Sequence, residues 1–225
     1  IVMPSYTHLQ RAQPIVVGGE LMAWLAALER AERRLVQTVT DLQANPLGSG
    51  AIAGSSLPLD RDLTSRLLGL GPPSPSSIDA TANRDLIIDF VYALAMTALT
   101  LSRWAEQWIL YLSSEFGFLR MADTYTTGSS MMPQKRNPDA LELVRGRCGT
   151  VYGHLVALLT ICKGLPIGYS RDLQETKPHL FAAHDVVADC LKIAAGVVAS
   201  ATFDAARISD GLDKGFLDAT SLAEY

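Results

Sequence analysis

Cysteine is scarce in this chain: Cys148, Cys162 and Cys190 are all it has in 225 residues. They are widely spaced, odd in number and form no C-x-x-C pair, which argues against a disulfide framework or a zinc site and fits a reducing compartment. Blocks of one charge are missing as well. The formal net charge is −4, and Lys and Arg are scattered, so neither a nucleic-acid footprint nor a basic membrane-surface helix is expected. The uncharged run Phe90 to Ser102 in the apolar segments falls well short of the ~20 residues that span a bilayer. No charged leader with a long apolar stretch follows Ile1, so no targeting segment is expected. Internal repeats and low-complexity tracts are absent, and alternating strand-like runs are hard to find. These absences predict a soluble, cytoplasmic protein.

What is present is helix. The chain is 48% hydrophobic, enough for a substantial core, and period-3.6 patterning dominates. Helices are expected over Val17 to Leu42, Asp60 to Leu68, Asp79 to Leu112, Pro138 to Cys162 and Lys177 to Ala201, with a last one after Ser209. The Gly-rich interlude Pro46 to Gly54 and the Pro/Ser stretch Gly71 to Ser77 can only be loops. In the Asp79 to Leu112 segment, Ile87, Val91, Leu94, Ala98, Leu101, Ala105, Trp108 and Leu112 recur in steps of four and three. That heptad seam packs helices at shallow angles in bundles. A helix of that length reaches ~50 Å, too apolar for the partner surface one chain supplies, so oligomerisation is expected. The fold class is all-α, a bundle of long helices. It is expected to form a single domain over residues 1–225, part of a longer chain.

Three polar constellations sit at loops and helix ends. Tyr6 to Pro14 places His8 among Thr7, Gln10, Arg11 and Gln13, where an imidazole can carry protons near neutral pH; the same residues equally suit a helix cap. Thr127 to Asp139 combines Gly128, Ser129, Lys135 and Asn137 next to a helix N-terminus, which favours anions. That set suits removal of a proton beside a carboxylate, with a Ser alkoxide as base and the cation and amides absorbing charge. An ordinary polar surface loop has a similar composition. Tyr169 to Lys177 offers Tyr169, Gln174 and Lys177 to a polar ligand, or to solvent at an exposed helix start. No cluster has metal-ligand spacing, and no cofactor or metal is called for.

Gly128-Ser129-Ser130-Met131-Met132-Pro133-Gln134-Lys135-Arg136-Asn137-Pro138 resembles the signature loop of the fumarase/aspartase superfamily, G-S-S-x-M-P-x-K-x-N-P, at every fixed position. Within it, Gln134, Asp139 with the Leu141 to Arg145 run, Tyr6 to Pro14, Pro46 to Gly54, and Lys163 to Pro166 with Tyr169 and Asp172 to Glu175 are similar to the argininosuccinate lyase branch. Fumarases and aspartases typically carry Gly at the position of Gln134. The resemblance implies a long-helix fold that builds a homotetramer with active sites shared among subunits. It implies release of fumarate and arginine from argininosuccinate without cofactor or metal. His8 and Ser129 then match the acid/base pair, Ser129 being the preferred base. Glu142 matches the carboxylate that orients the His. Lys135 and Asn137 match groups that stabilise the aci-carboxylate intermediate, and Thr7, Tyr169, Gln174 and Lys177 match substrate-binding positions. Arg84 falls in an Arg-Asp pair typical of the branch, equally readable as a structural ion pair. Thr176 departs from a position that is often acidic. The family chain is about twice as long, so this stretch alone is expected to be inactive. An adenylosuccinate lyase-like enzyme, a crystallin-like homologue that keeps the fold without the reaction, and a plain helical scaffold are the alternatives.

Overall fold

The computed structural model describes residues 1–41, 44–213 and 215–225. Four long helices dominate: α1 (Val17–Asp41), α4 (Asp85–Leu112), α5 (Asp139–Cys162) and α6 (Thr176–Ser200). Shorter helices are α2 (Arg61–Leu68), α3 (Ser77–Ala82), α7 (Ala205–Leu212) and α8 (Ala219–Glu224). The predicted end of the first helix at Leu42 lies outside the described residues. The chain divides into two compact units, one made of 1–29, 99–146 and 189–225, the other of 30–98 and 147–188.

In the second unit, Val91, Leu94, Ala95 and Ala98 of α4 pack with Cys148, Val151 and Leu158 of α5 and Ala183 and Val187 of α6. This is the heptad seam at work. Val91, Leu94, Ala98, Leu101, Ala105 and Trp108 are buried, and Ile87 and Leu112 half-buried. By length and composition alone, α4 is apolar enough to cross a membrane. Counting only the uncharged run Phe90 to Ser102 understates it, because isolated charges do not end an apolar helix; a core helix passes the same test.

The helix expected from Asp79 is in fact two. The side chain of Asn83 accepts the Asp85 amide (2.7 Å), and the Arg84 guanidinium donates to the Asn83 and Thr81 carbonyls (2.6 and 3.4 Å). Asn83 therefore opens a new helix, and the cation satisfies carbonyls that the end of α3 would leave free. Arg84 forms no ion pair with Asp85 among the described residues. The expected last helix after Ser209 also gives way to two: α7 starts at Ala205, capped by the Asp204 carboxylate on the Arg207 amide (3.0 Å), and α8 follows.

The first unit contains strands in stretches where no helix was expected and no strand was read. β1 (Val2–Thr7) and β2 (Gln10–Val16) form an antiparallel hairpin. Pro4 and Pro14 hide it in the sequence, since proline weakens any strand reading; here the two prolines face each other beside a bulge at Gln13. The Ser5 hydroxyl donates to the Gln13 carbonyl at 2.6 Å and so partners the bulged residue. Two further pairs are only two residues long: β3 (Leu119–Arg120) with β6 (Thr202–Phe203), and β4 (Thr127–Gly128) with β5 (Arg136–Asn137). Trp104, Trp108, Tyr111 and Phe118 form the buried aromatic part of this unit.

Candidate active site

The signature loop is the best-defined piece of the site. Pairing of Gly128 with Arg136 and of Thr127 with Asn137 closes it, so Ser129 and Lys135 emerge side by side from the ladder. The Thr127 hydroxyl bonds the Asp139 carboxylate in the first turn of α5, tying the loop's stem to the helix. Asn137 is used in the ladder, and the first turn of α5 hangs from the Pro138 carbonyl, which accepts Leu141 N (2.9 Å) and Glu142 N (3.1 Å). The helix therefore starts one residue later than the expected Pro138.

Half-buried Ser129 turns its hydroxyl inward. Its Oγ accepts the backbone amides of Met131 (3.3 Å) and Met132 (3.1 Å). Two N–H donors aimed at one oxygen favour its anionic form over the neutral hydroxyl. Main-chain amides carry no sequence signature, so only the loop's conformation reveals these two partners. Lys135 is exposed, its amide closing a turn on the Met132 carbonyl (2.9 Å).

Thr7 and His8 lie at the tip of the β1–β2 hairpin, both exposed. His8 and Leu9 are the two central turn residues, with φ of 55° and 60°. A two-residue hairpin turn needs this left-handed pair, ordinarily supplied by Asn-Gly or Gly-Gly. With side chains at both positions, the strain is ~1–2 kcal/mol per residue. Backbone strain of this kind gathers at functional sites. Beside the turn, Tyr6, Leu9, Gln10, Arg11, Glu115 and Arg207 line part of a cleft of about 390 Å³. Glu142 is exposed on the first turn of α5. Among the described residues, no hydrogen bond or ion pair joins His8 to Ser129, Lys135 or Glu142 within one copy of the chain.

Tyr169, Gln174 and Lys177 belong to the other unit. The Gln174 amide donates to the Tyr169 hydroxyl, and both side chains are exposed. Lys177 is exposed at the start of α6. Thr176 is 1% exposed and donates to the Leu173 carbonyl at 2.7 Å. The hydroxyl closes the junction between a short 3-10 turn and α6, a place where a carboxylate would be buried without a counter-charge. Among the described residues, no group of three or more His, Cys, Asp or Glu could hold a metal ion.

A family profile described as "Lyase" matches residues 1–153. An argininosuccinate lyase from Symbiobacterium thermophilum is 47% identical over 224 residues, 100% of this chain and 49% of its own length. A chloroplastic argininosuccinate lyase from Arabidopsis thaliana is 45% identical over 225 residues, 100% of this chain and 44% of its own. The chain thus spans about half the length of the curated relatives it matches. A crystal structure of EDDS lyase in complex with formate superposes with a TM-score of 0.85 at 29% identity, covering 99% of this chain and 44% of that one.

Proposed function

The chain belongs to the lyase family, and from that membership we propose that the full-length protein is an argininosuccinate lyase. The reaction is a β-elimination. A base takes the Cβ proton beside a succinyl carboxylate, the electron pair forms the new C=C bond, and the C–N bond breaks. The departing guanidino nitrogen takes a proton, leaving arginine and fumarate. Ser129 is the base and His8 handles the second proton, with Glu142 orienting the imidazole. Lys135 and Asn137 meet the extra charge of the aci-carboxylate. Thr7, Tyr169, Gln174 and Lys177 hold the substrate, Lys177 on a carboxylate. The active enzyme is a cytoplasmic homotetramer in which His8 of one copy serves Ser129 of another. No cofactor takes part.

One observation supports this reading above others: the Ser129 oxygen accepts two main-chain amides at 3.1 and 3.3 Å, which suits a hydroxyl that works as an alkoxide. The test is Ser129→Ala in the full-length protein, followed by fumarate absorbance. Turnover is expected to fall by about 10²–10⁴-fold with the oligomer intact. Unchanged turnover would sink the reading. Supplying argininosuccinate and adenylosuccinate separately to the unmodified protein checks the substrate.

A further inference from the structure

We infer that an aromatic cluster centred on Tyr6, and held from below by Arg207, is the device that positions His8. The inference rests on the proposed role of His8 and adds residues that the reaction itself does not name.

A two-stranded hairpin is marginal on its own, and the turn at His8 and Leu9 is one that neither residue prefers. Something outside the turn must hold it. β1 supplies the answer through its alternation, since Pro4 and Tyr6 share one face of the strand. Pro4 is fully buried against α7, where a Cβ on Gly211 would lie 3.3 Å from Pro4 Cγ and 3.5 Å from Phe118 Cζ. Tyr6 stacks edge-on against Phe116 (centroids 5.0 Å apart) and leans on Phe118 (6.2 Å). Phe116, Phe118 and Tyr111 pack mutually at 5.5 to 6.1 Å. Tyr6 is thus the last anchored side chain before the imidazole two residues on.

The far side of the cluster is fixed too. The Arg207 guanidinium donates to three successive carbonyls, Ser114 (3.4 Å), Glu115 (3.2 Å) and Phe116 (3.1 Å). That clamp sets the loop presenting Phe116, which bends through Gly117 at φ 63°. Tyr111 donates to Glu20 (2.9 Å) and accepts from Gln107 (2.6 Å), which holds its ring in place. The path runs from Arg207 through Phe116 to Tyr6 and ends at His8. None of its earlier members needs to touch substrate, so they are positioning residues.

The experiment uses the full-length protein with argininosuccinate as substrate. Tyr6→Leu removes the ring and Tyr6→Phe keeps it. Tyr6→Leu is expected to lower kcat about 10- to 100-fold, the scale of an ångström-sized misplacement, with KM within about twofold. The pH profile of kcat/KM should shift, and Tyr6→Phe should match the parent in both respects. If Tyr6→Leu does not fold, Phe116→Leu takes its place, and the His8 ring resonance is followed by NMR for a change in apparent pKa. Unaltered kcat and pH profile in the ring-less variants, with the His8 resonance unmoved, would overturn the inference. His8→Ala is assayed alongside: if it keeps full activity, the role given to His8 fails. If it loses activity while Tyr6→Leu does not, only the positioning claim fails.

Discussion

A Cβ built on Gly196 of α6 would lie 1.9 Å from the hydroxyl oxygen of Tyr125 and 2.7 Å from Cζ of the same ring. The glycine is there because the tyrosine ring lies flush on the helix, and Tyr125 is two residues before the first strand of the signature loop.

Gly196→Ala should therefore be destabilising, although alanine is the better helix former. Relief requires moving an aromatic ring, and overpacking of this kind costs about 1–3 kcal/mol. Denaturant titration measures the loss. Tyr125→Phe removes the atom at 1.9 Å, so the double variant should lose less than the two single losses added together. Strict additivity would show that the contact is not the cause.

The half-buried Glu20 gives a pH-dependent prediction. Burial pushes its carboxyl above the usual range, against the lowering effect of the hydrogen bond from the Tyr111 hydroxyl (2.9 Å). A carboxyl whose folded pKa is raised contributes stability below its unfolded pKa, and that contribution is lost as pH rises through the folded value. Glu20→Gln mimics the neutral acid and keeps an acceptor for Tyr111. The variant should unfold at a higher temperature than the parent near pH 8, and the gap should narrow toward pH 4. A variant less stable than the parent at pH 8 would refute the charge argument.

Much of this was legible in the residues. The seam on α4 could be read because burial imposes a period that sequence preserves, and the signature loop because its composition is unusual. The hairpin was not, since two prolines mask its alternation and its register rests on a bulge closed by Ser5. The break at Asn83 carried a usable signal, a cap residue followed by an acid in the first turn, yet with no Gly or Pro between Asp79 and the seam that opens at Ile87 the stretch reads as one helix. The amides that meet Ser129, the rings that meet Tyr6 and the carbonyls on Arg207 are contacts of backbone or of distant residues. No local pattern encodes them.

His154 of α5 and His179 of α6 bring their Nδ1 atoms to 3.0 Å. At least one nitrogen must lack a proton for that bond to form. Burial, and then the charge of His179, hold His154 below the ordinary histidine range. The unfolded chain therefore takes up its proton first, at a pH near 6.5, and stability should decline as the solution is acidified through that value. His154→Asn retains hydrogen-bonding capacity without titrating. Between about pH 8 and pH 5.5, it should lose less stability than the parent, as measured by urea midpoints. Parallel losses in the two proteins would count against the pair.

Leu9 offers the simplest intervention. Its side chain is 65% exposed, so deleting it removes little packing, while its φ of 60° penalises any residue with a Cβ. Leu9→Gly relieves ~1–2 kcal/mol of left-handed strain and adds ~0.5–1 kcal/mol of unfolded-state entropy. The net expectation is a gain of roughly 0.5–1 kcal/mol in unfolding free energy, the difference of those two terms. Leu9→Asn should gain less, because asparagine tolerates the left-handed region but does not prefer it as glycine does. Leu9→Ala keeps the Cβ and should gain nothing, which separates turn strain from the loss of an exposed apolar side chain. If alanine stabilised as much as glycine, the turn would not be the source of the effect.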